Sequence, residues 1–467
     1  MSWRAEASLP FRLPCSDQLP GDVPFPWPVR GVRSGSAELR RAVMTFDTPP
    51  LALDRRALRD YTSLHLYSAT GLQLFRFDAA SATLVPSACC HWSMSEDATQ
   101  HAFRISGRRD QSAMEVAEDF ARAILAAVDA VAPAGRRLDE IRELGVRPAV
   151  GGGAELIIRL MQADRQLAHK LAHPSFAAAS SPGPFAWQER NLGGGRLVQQ
   201  DVAPPQAALQ LDYCVLDDVD AGVAAYDAGA VDSTCPVLHS PAVLKRLLGR
   251  PDLVQGRSNT FMALFPMSPY ALQPVARRRL RDRLDVINLQ NRFEPSLTLV
   301  GGFSRFSSLR RPCITPTKRS FDRARPMVLA YDPFSPNREV LEAVAERWEV
   351  GATLLADDFT TPSADCDFRL IILVNSHAYE GDAYRMIGRT EAVRSDPALH
   401  HQWWQQIAMY DAGRDDATRA AAVRRLDTLF REACPAILLG RLNAYHLQRP
   451  GLEWLDFSSD VSWERCR

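Results

Sequence analysis

From residue 206 onward, extended apolar segments alternate with segments of helical period, and this alternation restricts the possible folds more than any other feature of the chain. Phe368–Val374 is an almost unbroken apolar run, interrupted only by Arg369. A run of that kind suits a strand covered on both faces. Met327–Tyr331 and Ala352–Leu355 read as strands on either side of a helix over Asn337–Trp348. Arg414–Ala433 carries Val423, Leu426, Leu429 and Phe430 at helical spacing and leads into a strand over Ala436–Leu439. Ala207–Leu211 reads as a strand, Asp218–Ala228 as a helix, and Pro274–Ile287 as a basic helix with Val275, Leu280, Leu284 and Ile287 turned inward. Strand–helix alternation predicts an α/β fold with mainly parallel pairing.

The first half reads differently. Residues 1–35 are proline-rich, as in Pro24-Phe25-Pro26-Trp27-Pro28, and predict an irregular arm. A strand over Glu38–Phe46, a helix over Asp54–Tyr67 and an extended pair at Gly71–Phe77 and Ala82–Pro86 follow. Trp92 to Ile105 reads as strand, turn and strand, with Ser95-Glu96-Asp97 at the turn. Ser112–Val131 is the clearest helix: Val116, Phe120, Ile124, Val128 and Val131 share a face, and Ser112 with Glu115 forms a capping box. A basic loop follows it. Gly151-Gly152-Gly153 and Gly193-Gly194-Gly195 lack the Lys and Ser or Thr of a phosphate loop and read as turns. A chain of 467 residues is too long for one ordinary core and implies two or three lobes, interleaved or sequential.

Charge and cysteine content limit the function. The formal net charge is zero, so no basic surplus points to nucleic acid or an anionic membrane. No stretch of about 18 apolar residues predicts a membrane span. The first 35 residues contain no apolar run followed by a small-residue cleavage site, which predicts a cytoplasmic protein. The nine cysteines are scattered and form no repeated C-x-x-C pairs, so they read as reduced thiols rather than a zinc site. Cys89-Cys90-His91 reads as core thiols beside a strand. Cys235 and His239 could form a thiol–base pair across Pro236, but no orienting group or oxyanion donor accompanies them. Arg277, Arg278, Arg279, Arg281 and Arg283 read as a solvated helix face. Nothing in the chain calls for a cofactor or a metal.

Several weaker segments occur in a specific order. Tyr67 to Phe77, Leu84-Val85-Pro86-Ser87-Ala88, Trp92-Ser93-Met94-Ser95-Glu96-Asp97 and Phe103-Arg104-Ile105 come first. The helix with Glu118-Asp119-Phe120, then Leu167–Phe176 with His173-Pro174, Gly183-Pro184-Phe185, Ala228-Gly229-Ala230-Val231-Asp232 and Arg279–Asp285 follow. This succession, over roughly residues 36–467, resembles the solute-binding protein family 5, the family of the oligopeptide-binding proteins. The usual tryptophan and aspartate-glycine turn before the helix are replaced by Gly107-Arg108-Arg109-Asp110. Trp454-Leu455-Asp456-Phe457-Ser458-Ser459 and Cys366-Asp367-Phe368-Arg369-Leu370 are similar to the intracellular solute-binding domain of sugar-phosphate-stress regulators. Their DNA-binding domain has no counterpart before residue 36, and no nucleic-acid partner is expected.

The resemblance implies a two-lobed periplasmic-binding-protein-like type II fold with an extra subdomain. It implies a first lobe over 36–258 with an inserted subdomain at 48–182, a second lobe over 259–440, and a return to the first lobe over 441–467, with hinges near Asn259-Thr260-Phe261 and Arg441-Leu442-Asn443. Such lobes enclose a small peptide-like or metabolite ligand, with no membrane permease as an expected partner. The end of a buried strand faces the crevice of an open α/β sheet, so Asn375, Ser376, His377, Tyr379, Glu380 and Asp382 are the candidate ligand-binding residues. In peptide-binding relatives an aspartate near this point holds the ligand's amino group, a role open here to Glu380 or Asp382. Phe303 and Arg305, in the turn Gly301–Phe306, could meet an apolar group and a carboxylate. An enzyme of specialised metabolism, guiding a cyclisation or acyl transfer in the same cleft, is the alternative. The chain offers it no nucleophile elbow, metal-ligand run or nucleotide loop.

Overall fold

In the computed structural model, the apolar run Phe368–Val374 is an inner strand of a six-stranded sheet. The structure describes residues 41–46, 61–78, 83–108, 111–129, 138, 140–183, 185–189, 194–199, 210–216, 219–235, 240–284, 286–308, 326–357, 365–376, 378–450 and 452. The arm over 1–35, His239, His377 and Trp454–Ser459 lie outside them. Two compact units emerge. One comprises Met1–Pro236, His377–Tyr379 and His446–Arg467; the other comprises Val237–Ser376 and Glu380–Tyr445.

The second unit is built on the six-stranded sheet, in the order Leu297–Thr298, Ile437–Leu447, Leu253–Pro266, Phe368–Val374, Met327–Tyr331, Ala352–Ala356. Helix Asn337–Trp348 makes the crossover between the last two strands, which are parallel, and buries Val340, Leu341, Val344 and Trp348 at helical spacing. Met327–Tyr331 is also parallel to Phe368–Val374. The expectation of mainly parallel pairing is corrected beyond that point. Phe368–Val374 is antiparallel to Leu253–Pro266, and Leu297–Thr298 is antiparallel to Ile437–Leu447. These neighbours come from distant parts of the chain, so local strand–helix alternation does not set their direction.

The basic segment also differs from its reading. It forms two helices, Pro274–Arg283 and Val286–Phe293, because the backbone turns extended at Leu284. Leu280 and Leu284 are buried, whereas Val275 and Ile287 are exposed. Its arginines are not simply solvated. Arg277 is buried and donates to the carbonyls of Cys434 (2.8 Å), Ala433 (3.0 Å), Tyr270 (3.1 Å) and Ala271. Arg278 donates to the Glu432 carbonyl at 2.8 Å, and Arg281 to that of Arg431. All but two of these acceptors are the orphan carbonyls at the end of helix Asp416–Ala433, where positive charge also complements the helix dipole. Cys434 ends that helix in a left-handed conformation, and burial pushes its thiol up to about 11.

The first unit contains two four-stranded sheets. Cys89–Met94, Gln100–Ile105, Ala154–Leu160 and Ile141–Pro148 pair antiparallel in that order. Trp92, Met94, Phe103, Ile105, Leu156 and Ile158 alternate into the core beneath Val116, Phe120 and Ile124 of helix Ala113–Asp129. The capping box forms: Ser112 N–H donates to Glu115 Oε2 at 2.7 Å, and Glu115 N–H to Ser112 Oγ at 3.3 Å. Gly151, Gly152 and Gly153 take φ of +82°, +96° and +85°, so this turn needs glycine. Ile141–Pro148 falls where a loop was expected. Its charges, Gly145 and Pro148 suit an edge strand that no alternation advertises.

The other sheet runs Arg41–Phe46, Gln210–Val215, Gly195–Gln199, Phe185–Glu189, with the first pair parallel. Phe46 stacks on Tyr213 with ring centroids 4.6 Å apart. No helix of the described residues is long and apolar enough to cross a membrane.

Candidate functional site

Strand Phe368–Val374 ends at Asn375, whose N–H donates to the Asn259 carbonyl at 3.0 Å. Its side chain joins two neighbouring elements. Nδ2 donates to the Phe303 carbonyl, and Oδ1 accepts from Ala383 N–H at 2.8 Å, in the first turn of helix Asp382–Gly388. Asp382 Oδ2 accepts from Ser376 N–H at 3.1 Å. Glu380 Oε2 accepts from Ser304 Oγ at 2.6 Å and from Arg305 N–H at 3.2 Å, which fastens the turn 301–307 to the start of that helix.

Below this layer the site is buried. Phe303 is fully enclosed and meets Phe261, Tyr384 and Phe430 edge-on, with centroids 5.1–5.5 Å apart. The Tyr384 hydroxyl donates to Asp427 Oδ1 at 2.5 Å and accepts from Phe303 N–H at 3.4 Å. Burial raises the Asp427 carboxyl above its ordinary range, and burial together with Asp427 raises Tyr384 well above that of a free phenol. Gly302 is required for closeness: a Cβ there would collide with the Asp427 carboxylate and Ser307 Oγ. Arg385 and Asp411 form a buried ion pair at 2.5 Å, and Trp403 Nε1 donates to the Tyr384 carbonyl at 2.9 Å.

The rim is open to solvent. Arg305 is 55% exposed, lies 4.7 Å over the Phe306 ring, and donates to Asp416 at 3.2 Å. Asp416 also accepts from Arg419 at 2.5 Å, and these two guanidiniums hold its carboxyl below the ordinary range, Arg419 foremost. Glu380 Oε1 faces Arg305 Nε at 3.9 Å. An exposed guanidinium can receive a carboxylate in a bidentate pair, and a rim carboxylate can receive an ammonium or amide N–H.

Of the sequence-derived candidates, Asn375, Ser376, Glu380, Asp382, Phe303 and Arg305 come together in this network. Tyr379 belongs to the other compact unit, where it is fully buried with Lys170 Nζ 5.0 Å from its ring centre; Lys170 in turn pairs with Asp164 at 2.6 Å. His377 lies outside the described residues. Sequence reasoning missed Tyr384, Asp427, Arg385, Asp411 and Asp416. The signal was faint: polar residues at single positions of otherwise amphipathic helices, with partners between 26 and 111 residues away. Among the described residues, no group of three or more His, Cys, Asp or Glu side chains could hold a metal ion.

No protein-family model matches the chain, and no curated protein matches it in sequence. Solved structures do match. Haemophilus influenzae OppA, solved in complex with the peptide RPPGFSPFR, is 14% identical, with a TM-score of 0.72 over 91% of this chain and 98% of its own. NikA from Brucella suis, in complex with Fe(III)-EDTA, is 13% identical, with a TM-score of 0.69 over 91% and 99%. A substrate-binding protein from Microbacterium hydrocarbonoxydans, complexed with 4-hydroxybenzoate hydrazide, is 15% identical, with a TM-score of 0.66 over 88% and 96%. The chain has the α/β fold of the two-lobed periplasmic-binding-protein-like structures.

Proposed function

We propose that the chain is a solute-binding protein of the oligopeptide-binding kind, which holds a small peptide-like or metabolite ligand. The fold likeness carries this reading, since it spans 91% of this chain and 98% of a protein solved with a peptide bound. Of the sequence-derived candidates, Arg305 and Glu380 on the rim meet the ligand in this proposal, and Asn375, Ser376, Asp382 and Phe303 hold the elements that carry them. The open rim of Arg305 and Glu380 supports a ligand with a carboxylate and an amine or amide. With the proposal goes the division into a first lobe over 36–258 with its insert at 48–182, a second lobe over 259–440 and a return over 441–467.

The test is a thermal-shift screen of peptides, amino-acid conjugates and metabolite pools. A ligand at 100 times its Kd adds about 2.7 kcal/mol to the stability of the native state. A cognate ligand is expected to raise the melting temperature in a saturable way; no response to any of these classes would remove the reading.

A cytoplasmic location belongs to the same proposal, as for the sugar-phosphate-stress regulators whose intracellular solute-binding domain the sequence resembles. The six described cysteines, all free thiols, support a reducing compartment. Non-reducing mass spectrometry is expected to count nine free thiols, matching the nine cysteines of the sequence, and two or more stoichiometric bridges would contradict it.

A further inference from the structure

The turn that carries Arg305 is fastened through its main chain, while the Arg305 side chain is held weakly. Arg305 N–H donates to Glu380 Oε2 at 3.2 Å, and Ser304 Oγ donates to the same oxygen at 2.6 Å. The guanidinium makes one hydrogen bond among the described residues, from Nη2 to Asp416 Oδ1 at 3.2 Å. Its Nε stands 3.9 Å from Glu380 Oε1, and its other neighbour is the Phe306 ring, 4.7 Å away. The Arg305 and Asp416 side chains are 55% and 63% exposed, so solvent reaches the pair from outside.

Asp416 is better provided for than its partner. The same Oδ1 accepts from Arg419 Nη2 at 2.5 Å, three positions along helix Asp416–Ala433. Arg419 is itself fixed: it is 19% exposed, donates to the Gly413 carbonyl at 3.2 Å, and packs so closely that a Cβ on Gly413 would meet its Cγ at 2.8 Å. Capping of the helix falls to Asp415, which accepts from Thr418 N–H at 2.7 Å, so Asp416 has no part in it. Arg419 foremost, and Arg305 with it, hold the Asp416 carboxyl below its ordinary range, so it is ionised at neutral pH. If Arg305 swings away, Asp416 keeps its place and a counter-charge, and what is lost is one exposed, single-pronged ion pair, a contact of small net value.

A ligand carboxylate offers the same guanidinium more. It can take two parallel N–H···O bonds from the planar fork, where Asp416 takes one. We infer that Asp416 is a built-in competitor for Arg305, standing where the carboxylate of a peptide-like ligand would bind and displaced by it. The competition rests on the proposed ligand-binding role of Arg305 and adds a control to it: Asp416 weakens the binding of every ligand that uses Arg305 through a carboxylate. Arg419 serves this control as a positioning residue, since it keeps Asp416 in place after the exchange and ready to recapture Arg305 when the ligand leaves.

Calorimetric titration with the tripeptide trialanine, at constant ionic strength, tests the inference on the wild type, Asp416→Asn, Arg305→Ala and the double variant. Both positions are exposed, where substitution leaves the fold intact. Asp416→Asn is expected to bind trialanine about two- to fivefold tighter than the wild type, the range set by an exposed ion pair. Arg305→Ala should bind it at least about tenfold more weakly, and adding Asp416→Asn to Arg305→Ala should change nothing further, because the competitor then has nothing to compete for. Trialanine amide, which lacks the carboxylate, should bind the wild type and Asp416→Asn equally. If Arg305→Ala weakens trialanine binding and Asp416→Asn does not strengthen it, the competition is overturned and the role of the rim stands. An equal gain from Asp416→Asn with and without Arg305 would also overturn it, since the effect would then be one of general charge. No saturable binding of trialanine by the wild type or by Asp416→Asn would overturn both the competition and the ligand-binding role of Arg305.

Discussion

The interior and the rim of the candidate site are built from the same kinds of residue and behave oppositely. In the interior, Asp427 faces Tyr384 and burial raises its carboxyl; on the rim, Asp416 faces Arg419 and Arg305 and its carboxyl is lowered. Both aspartates lie on helix Asp416–Ala433. The difference is solvent. An enclosed polar group must be matched by the protein, so Asn375, Tyr384 and Asp427 are committed to structural hydrogen bonds. An exposed group is matched by water at little cost, so Arg305 and Asp416 can exchange partners. The interior thus holds the turn 301–307 in place, and the rim keeps the freedom that the proposed ligand-binding role requires.

The largest expected effect is in the interior. Arg385→Ala would leave Asp411 charged and enclosed, and should cost about 3–5 kcal/mol in chemical denaturation. A loss as small as that of a surface substitution would show that the interior is not committed as described. Tyr384→Phe keeps the ring and removes the donor to Asp427, so it should cost about 1–3 kcal/mol. An unchanged denaturation midpoint would break the contrast between the two aspartates.

The same rule applies to buried imidazoles elsewhere. Burial lowers His65 to about 3, and His101 and His446 to about 4, from an unfolded value near 6.5. His101 is held neutral by geometry as well: Trp92 Nε1 donates to its Nδ1 at 3.2 Å, while its Nε2 faces the Ala98 carbonyl at 3.3 Å. Between pH 6.5 and 4 the unfolded chain binds more protons at these sites than the folded one. Stability is therefore full above about pH 6.5 and falls as pH is lowered toward 4, by about 1–2 kcal/mol per histidine at pH 5. Denaturation midpoints at pH 7 and pH 5 check the sign, and greater stability at pH 5 would refute it.

These contrasts also explain what could be read from the residues alone. Phe368–Val374, Asn337–Trp348 and the Ser112–Glu115 capping box were legible because their signals are local: an apolar run, a 3.6-residue period, two side chains three positions apart. Strand Leu253–Pro266 was not, since Gln255-Gly256-Arg257-Ser258-Asn259 carries no strand alternation and its pairing partners lie far along the chain. The arginines of Pro274–Arg283 read as solvated because nothing nearby in sequence marks the carbonyls 150–157 residues away that Arg277, Arg278 and Arg281 satisfy. In the site, Asn375, Glu380 and Arg305 were recognisable from their place after a buried strand or in a glycine turn. Tyr384 and Asp427 were hidden inside helices whose period explained them as ordinary positions.

The smallest expected effect on stability is on the rim, and it accompanies the largest on function. Arg305→Ala, at a site more than half exposed, should change stability by no more than about 0.5 kcal/mol. Calorimetric titration of the wild type and this variant with a peptide-like ligand from the thermal-shift screen tests the central claim most directly. The account predicts one equivalent bound by the wild type, the ligand recovered chemically unchanged after prolonged incubation, and binding at least about tenfold weaker in Arg305→Ala, a loss of about 1.4 kcal/mol. Unaltered affinity in the variant would contradict the role given to the rim, and multiple turnovers of the ligand by the wild type would contradict the binding function itself.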